Sequence, residues 1–435
     1  MVGKHAARVA YVSLGCRVNR VETDAIALQL ERAGCVMTQD EREAQAVVLN
    51  TCAVTGEAQA KTRKAVRHAA SMAQGPLVVA TGCVASLFAD ELSALGDNVV
   101  VEADRSKVAQ RVLEGLELRD QYKPAGQPGH ELSVEGHGHD AVTPTGRTRP
   151  GIKVQDGCDL RCSYCIVWKA RGASRSVDPA EVVRQVRDQC DTGAREVMLT
   201  GINLGRYAAM RDGVRMGLAE LLEEVLERTD VGRVRLGSIE PQDVDGRLAQ
   251  LIASSGGRIA PFLHMCLQSG CDATLRRMRR VYDTALFAER VEAVRGLVPS
   301  VSFGTDLIVG FPGETEEEFA QSLAFCERMR FSRMHVFRYS KRPGTPAATM
   351  EGQVDPLVMA KRADRAHQLS RQLRLAEARA AVGSQDRVVV QAPGAGITGG
   401  LFDAVLDEAV PAGSLVDVRV SGVRDDATLI CTVVS

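Results

Sequence analysis

Three cysteines crowd into one stretch, "VQDGCDLRCSYCIVWKARG" (154–172), where Cys158, Cys162 and Cys165 fall within eight positions. A structural zinc site closes its tetrahedron with four protein ligands, and no fourth stands here. Three thiolates suit three irons of a 4Fe-4S cluster, leaving the fourth iron an open site where substrate can bind. A zinc site and plain structural thiols are the competing readings.

Three more cysteines recur through the first 120 residues. "RVAYVSLGC" ends at Cys16, "AVVLNTC" at Cys52 and "PLVVATGC" at Cys83, each an apolar strand-like run followed by helix-compatible sequence. After Cys16, residues Ile26, Leu30 and Ala33 repeat at helical spacing until Gly34 stops the pattern. Separations of 36 residues (16 to 52) and 31 (52 to 83) suit successive strand-helix units. In an open parallel sheet the carboxyl ends of the strands share one edge, so these thiols converge there. The alternative is a reduced core, because cysteine is among the most buried residue types. Cys35 breaks the pattern and reads as a buried thiol; Cys190, Cys266, Cys326 and Cys431 read as core.

The elements that must position these residues are legible in outline. From residue 151 six strand runs alternate with helical stretches: "GIKVQDG", "EVMLTGIN", "RVRLGSIEP", "FLHMCLQSG", "VSFGTDLIVGF" and "RMHVFRYS". Asp178 with Pro179 marks one helix start, and Thr315 with Glu318 forms a capping box at another. Six such units predict a parallel sheet curled towards a barrel, short of the eight that close one. Asn203, Glu240, Gln268 and Asp306 fall at its carboxyl ends. The last fifty or so residues are short strands with Gly-rich turns, a small barrel of the oligonucleotide-binding type. The predicted class is therefore α/β: an N-terminal parallel α/β domain (1–120), a linker (121–148), a partial (β/α)6 barrel (149–375) and a small OB-like β-barrel (376–435). Within the linker, a His-rich piece around His137 and His139 could bind a metal ion.

At 435 residues the chain is long enough for two or three cores, and 45% hydrophobic with 25% charged residues excludes a disordered or fibrous protein. No segment is apolar enough to span a membrane, and "MVGKHAARVAYVSLGC" lacks a secretory signal, so a cytoplasmic location is expected. Thiols stay reduced there, which favours metal ligands or buried hydrophobes over disulfides for the twelve cysteines. The net charge of −1 conceals local basic runs at 61–68, 276–280 and 361–379. Each reads as a solvated helix face or as part of an RNA surface.

The spacing C-x-x-x-C-x-x-C, with Tyr164 before the last cysteine, resembles the signature of the radical S-adenosylmethionine superfamily. "LGCRVNRVET", "LNTCAVT" and "TGCVA" ahead of it and "YSKRPGTPA" behind it look like the methylthiotransferases of that superfamily, in order across nearly the whole chain. The resemblance implies that S-adenosylmethionine chelates the open iron and is cleaved by one electron to a 5′-deoxyadenosyl radical. It implies an external one-electron donor of flavodoxin or ferredoxin type. It also implies a second 4Fe-4S cluster on Cys16, Cys52 and Cys83, a sulfur donor, and a product that gains a CH3–S group. Tyr164, Gly201, Asn203, Glu240, Gln268 and Asp306 should line the S-adenosylmethionine pocket. "LGCRVN" resembles the "LGCKVN" of the branch that modifies threonylcarbamoyl-adenosine in tRNA. The sister branches typically read "YGCQMN" (isopentenyl-adenosine in tRNA) and "LGCPKN" (an aspartate of a ribosomal protein). A more distant alternative is an iron-sulfur RNA-binding or electron-transfer protein without radical chemistry. Trp168 and Lys169 stand where Pro-Tyr is usual, and Cys271 where Ser is usual.

The final barrel matches in position the small RNA-binding (TRAM-like) module that closes this family. From residue 384 onward, however, Arg387, Arg419 and Arg424 face seven carboxylates, the wrong sign for phosphate, and Phe402 is the one aromatic. The helix-like run 361–379 and Arg161, Lys169, Arg171 and Arg175 near the cysteine loop are the better candidates for an RNA surface.

Overall fold

The computed structural model describes residues 6–117, 143 and 146–434. The expected linker and its His-rich piece lie outside the described residues, apart from Thr143 and 146–148. Met1–Gly146 with Ile166–Gly172 make one compact unit, and Arg147–Cys165 with Ala173–Ser435 make the other. No helix among the described residues is long and apolar enough to cross a membrane.

In the first unit β1 (Arg8–Ser13), β2 (Val36–Thr38), β3 (Ala46–Thr51), β4 (Leu77–Gly82) and β5 (Val99–Val101) form a parallel sheet in the order β2-β1-β3-β4-β5. Parallel strands covered on both faces read as unbroken apolar runs, and every residue of β3 is buried. The helices are α1 (Arg17–Arg32), α2 (Gly56–Ala70), α3 (Cys83–Leu87), α4 (Ala89–Ser93), α5 (Val108–Gly115) and α6 (Val167–Arg171). They enclose one core around Val47, Leu49, Val66 and Val78 and another around Val9, Leu30, Val48 and Val112. Three strands were expected from the sequence. The added β2 and β5 are three-residue edge strands, too short to show a period.

The second unit opens with β6 (Gly151–Lys153), β7 (Gln155–Asp156) and β8 (Arg175–Ser176); β7 and β8 pair antiparallel and pinch the base of the cysteine loop. Then come α7 (Pro179–Asp191), β9 (Glu196–Thr200), the hairpin β10 (Ala209–Arg211) and β11 (Val214–Met216), α8 (Leu218–Arg228), β12 (Arg233–Leu236) and β13 (Ser238–Ile239). They are followed by α9 (Gly246–Ser254), β14 (Phe262–Met265), α10 (Asp272–Arg277), α11 (Thr284–Leu297), β15 (Ser302–Val309), α12 (Glu316–Met329), β16 (Arg333–Arg338) and α13 (Pro356–Ala380). Parallel pairing runs β6-β9-β12 and β13-β14-β15-β16, with β12 and β13 a single run interrupted at Gly237. This is the partial barrel of six strands, with β6 and β16 as its unpaired edges. The helix starts at Asp178 and Thr315 are capped as expected.

Alternate strand residues take opposite faces. Ile152, Val197, Leu199, Val234, Leu263, Phe303, Leu307 and Met334 join the core beneath the helices. That leaves Glu196, Arg233, Arg235, His264, Asp306, Arg333 and His335 on the lumen side, so the barrel interior is polar. The chain ends in a closed barrel of β17 (Gln385–Ala392), β18 (Ala395–Thr398), β19 (Asp403–Leu406), β20 (Leu415–Val423) and β21 (Leu429–Val433). The stretch "GITGGLFDAVLD" supplies two of its five strands, β18 and β19, by folding back on itself at 399–402.

A buried ionic cluster joins the two barrels. Glu196, with no exposed surface, accepts from Arg233 and from Arg235 at 2.9 Å. Arg233 also donates to the Arg387 carbonyl (2.6 Å), and Arg235 to those of Thr398 and Gly399 (both 2.9 Å). Burial alone would raise the Glu196 pKa, but Arg235 and Arg233 outweigh it and pull it down to about 2. Glu196→Ala leaves two buried guanidiniums without their carboxylate and should cost about 3–5 kcal/mol in urea denaturation. Because the folded-state pKa is depressed, this contribution is complete above the ordinary glutamate pKa of about 4.3 and is lost as pH falls towards about 2. The pH dependence of unfolding between those limits should flatten in the variant.

Candidate functional site

The loop of Cys158, Cys162 and Cys165 follows β6 at the carboxyl edge of the partial barrel. Ser163 anchors it: its amide donates to the Met278 carbonyl (3.0 Å), its hydroxyl to that of Arg277 (2.8 Å), and its carbonyl accepts from Ala347 (2.9 Å). Gln155 ties the loop to the end of β9, donating to the Gly157 carbonyl (2.8 Å) and accepting from the Asn203 amide (2.8 Å). Gly201 lies against this glutamine, and a Cβ there would sit 2.8 Å from Gln155 Oε1. Tyr164 packs beside Met278, Phe311 and Tyr339.

Two donors point at the thiols. Arg280 Nη1 lies 3.0 Å from Cys162 Sγ, and Asn203 Nδ2 lies 3.9 Å from Cys158 Sγ. Arg280 also holds the Glu240 carboxylate and stacks over Tyr282 at 4.8 Å. Asn203 Oδ1 is buried with no hydrogen-bond partner among the described residues, an acceptor left for a ligand. Beside it opens a cavity of about 410 Å³ lined by Asp159, Leu160, Ser174, Arg175 and Arg206, within the size range of small-molecule sites. Three thiols, donors aimed at sulfur and an orphaned acceptor together fit a 4Fe-4S cluster with a chelating ligand. Gln268 holds a left-handed backbone (φ +66°), fixed because its amide donates to the Asp306 carbonyl (2.8 Å) and its carbonyl accepts from Ile308 (2.9 Å). Such strain persists where the surroundings over-determine it.

Asp306 sits apart from that group. Its Oδ1 lies 3.1 Å from both His264 Nε2 and His335 Nδ1. Burial would raise its pKa, but His264 and His335 hold it well below the usual carboxylate range. Neither histidine was singled out from the sequence, since each reads as one residue of a strand. Arg280 was noticed there only as part of a basic run. Cys266 also departs from its expected core position: it is partly exposed at the lumen end of β14, and burial beside Asp306 and Cys162 pushes its thiol up.

In the first unit Cys16, Cys52 and Cys83 directly follow or begin just after β1, β3 and β4, three adjacent strands. Burial, reinforced by Cys16, pushes the Cys52 thiol up to about 11, with Cys83 acting in the same direction. Gly15, at φ +96°, brings the chain so close that a Cβ would overlap Cys52 Sγ. Asn19 pins the loop ends through the Leu14 (2.9 Å) and Thr51 (2.8 Å) carbonyls. Arg171 donates to Glu22 (2.8 Å) and Asn19 (2.9 Å), and Arg105 pairs with Glu22 at 3.0 Å while directing Nη2 towards Cys83 Sγ (3.9 Å). Arg171 is thus buried in this network and unavailable to an RNA surface. Of its companions, Arg161 caps the Cys158 and Leu160 carbonyls and Arg175 pairs with Asp156 at 3.1 Å, while Lys169 is exposed.

Residues 152–326 match the Radical SAM superfamily, and residues 8–102 match a group described as Uncharacterized protein family UPF0004. The chain is 39% identical to the threonylcarbamoyladenosine tRNA methylthiotransferase of Bacillus subtilis, over 84% of this chain and 81% of that protein. It is 35% identical to the enzyme of the same name from Thermotoga maritima, over 87% and 85%. Among solved structures, the radical S-adenosylmethionine methyltransferase TsrM of Kitasatospora setae superposes with a TM-score of 0.54 over 79% of this chain and 75% of that one. At 16% identity this is a likeness of fold.

Gly15→Ala combines a disallowed backbone with an overlap at Cys52, and overpacking of this kind costs about 1–3 kcal/mol. Urea denaturation of the metal-free protein should show a loss larger than that of Gly75→Ala, where the left-handed backbone alone costs about 1 kcal/mol and no atom lies within 4 Å.

Proposed function

The chain belongs to the methylthiotransferase family of radical S-adenosylmethionine enzymes, and on that premise we propose that it adds a methylthio group to C2 of the adenine in tRNA threonylcarbamoyl-adenosine, beside the anticodon. The observation that supports this most is the pair of cysteine trios. Each is gathered at the carboxyl edge of parallel strands, in a chain whose relatives are named for that reaction.

In this reading Cys158, Cys162 and Cys165 hold one 4Fe-4S cluster and Cys16, Cys52 and Cys83 a second. When bound, the clusters and S-adenosylmethionine supply one-electron and methyl-transfer chemistry that side chains cannot provide. The chain's own residues position and tune. Arg280 directs a cationic donor at Cys162 Sγ and orients Glu240; donors to cluster sulfur raise its potential. Asn203, with Gly201, Glu240, Gln268 and Tyr164, lines the pocket for S-adenosylmethionine, and Asn203 Oδ1 is free to accept from its amino group. Asp306, the remaining expected residue, is held apart from these by His264 and His335. The division of labour follows the boundaries 1–120, 149–375 and 376–435 for auxiliary-cluster, radical and RNA-binding-type domains, joined by 121–148. The working partners are tRNA, a flavodoxin- or ferredoxin-type donor and a sulfur donor, in the cytoplasm.

Anaerobic reconstitution should give about eight irons per chain, falling to about four in the Cys158/Cys162/Cys165→Ala variant and likewise in Cys16/Cys52/Cys83→Ala. About four in wild type and none in the first variant would make the amino-terminal trio structural. In a deletion strain the methylthio form of threonylcarbamoyl-adenosine should vanish from tRNA hydrolysates. Unchanged tRNA would contradict the substrate assignment.

A further inference from the structure

The lumen of the partial barrel holds more positive charge than its own carboxylates neutralise. Arg149, Arg233, Arg235 and Arg333 face it, against Glu196 and Asp306. Lys153 is paired with Asp156 at 3.1 Å. Arg233 and Arg235 are spent on Glu196 and on carbonyls of the closed barrel. Arg149 and Arg333 are not. Arg149 reaches Glu196 only at 3.7 Å, and its Nε and Nη1 are buried with no hydrogen-bond partner among the described residues. Arg333 is half-buried, and among the described residues its side chain makes one hydrogen bond, from Nε to His335 Nε2 at 3.4 Å.

Topology brings these two together. Arg149 stands two residues before β6 and Arg333 begins β16, the two edge strands that have a neighbour on one side only among the described residues. They are close enough for Arg333 to act on Arg149: burial lowers the Arg149 pKa, Glu196 opposes this, and Arg235 and Arg333 add like-charge repulsion. Arg374 also stands within reach of Arg333, but its charge is met by Asp403 at 3.0 Å and by Asp426. Like charges crowded in a half-buried seam, with donors unsatisfied, are costly unless an anion arrives. The neighbouring His264, Asp306 and His335 are close enough to one another to bind a metal cation. Arg333, donating into His335 Nε2, opposes one and fixes the His335 tautomer with Nδ1–H towards Asp306.

We infer that Arg149 and Arg333, on the two open edges of the partial barrel, form a carboxylate site that reads the threonine carboxylate of the substrate nucleoside. This rests on the threonylcarbamoyl-adenosine reading above and deepens it. Arg333 lies four residues below Phe337, roughly 13 Å of strand, so an adenine held near the cysteine loop would direct its N6 arm down the seam. Guanidinium pairs take a carboxylate through two hydrogen bonds. A neutral isoprenoid arm in the same seam would leave the donors buried and unpaired. The site therefore selects by charge between arms of similar reach.

The test uses the reconstituted holoenzyme and two anticodon stem-loop RNAs, one with threonylcarbamoyl-adenosine and one with its threonine methyl ester, at fixed salt. Wild type should bind the acid about tenfold more tightly than the ester, a charge-assisted hydrogen-bond difference. Arg333→Gln and Arg149→Gln should each bring that ratio to within about twofold, and Arg333→Lys, which keeps the charge but loses the two-donor fork, should restore only part of it. Equal binding of acid and ester by wild type would overturn the assignment. So would an equal loss for both RNAs in the Gln variants, which marks a structural role. A matching loss of S-adenosylmethionine affinity in Arg333→Gln would do the same, because the arginines would then serve the methionine carboxylate. If wild type discriminates between the RNAs yet forms no methylthio product, the reaction assignment fails while the carboxylate site stands.

Discussion

Parallel strands deliver all their carboxyl ends to one edge, and this constraint governs both halves of the chain. In the first unit it places Cys16, Cys52 and Cys83 side by side, although more than thirty residues separate each from the next. Adjacency of strands would not suffice without close backbone approach. Gly15 and Gly82 provide it, both at positive φ and both so near a neighbouring strand end that a side chain would collide. In the second unit the same edge gathers the cysteine loop, Gly201, Asn203, Glu240 and Gln268. There the fine positioning comes from side chains, with Gln155, Ser163 and Arg280 as the fasteners.

A second theme is how buried charge is handled. Burying an ion is tolerable when it is paired and its remaining hydrogen-bonding capacity is used. Glu196 with Arg233 and Arg235 meets this by borrowing carbonyls from the closed barrel, which fixes that barrel against the partial one. Glu22 is likewise paired, with Arg105 and Arg171, beside the amino-terminal thiols. In the open seam Arg149 is less fully paired: it reaches Glu196 only at 3.7 Å and keeps two buried nitrogens, Nε and Nη1, without a hydrogen-bond partner among the described residues.

Much of this was legible beforehand, for physical reasons that also mark the boundary. The six cysteines stand out because thiols at strand ends in a reduced chain have few structural uses. The six barrel strands stand out because buried parallel strands are long apolar runs. The edge strands β2 and β5 were missed because three residues carry no period. His264, His335 and Arg333 were missed because their meaning lies in strand register: Asp306 pairs with His335, and Gly304 with both His264 and Arg333. Arg171 and Arg280 illustrate the opposite error. Each lies in a basic stretch that suggests a solvated surface, yet each is buried against a carboxylate beside thiols.

The central claim, methylthiolation by a chain with two three-thiol sites, is tested most directly by the nucleosides of a tRNA incubated anaerobically with the reconstituted protein, S-adenosylmethionine and reductant. The account predicts that threonylcarbamoyl-adenosine gains the mass of CH3S replacing one hydrogen, with 5′-deoxyadenosine and S-adenosylhomocysteine formed alongside. 5′-Deoxyadenosine without any change in the nucleoside, from protein carrying its full iron, would contradict it.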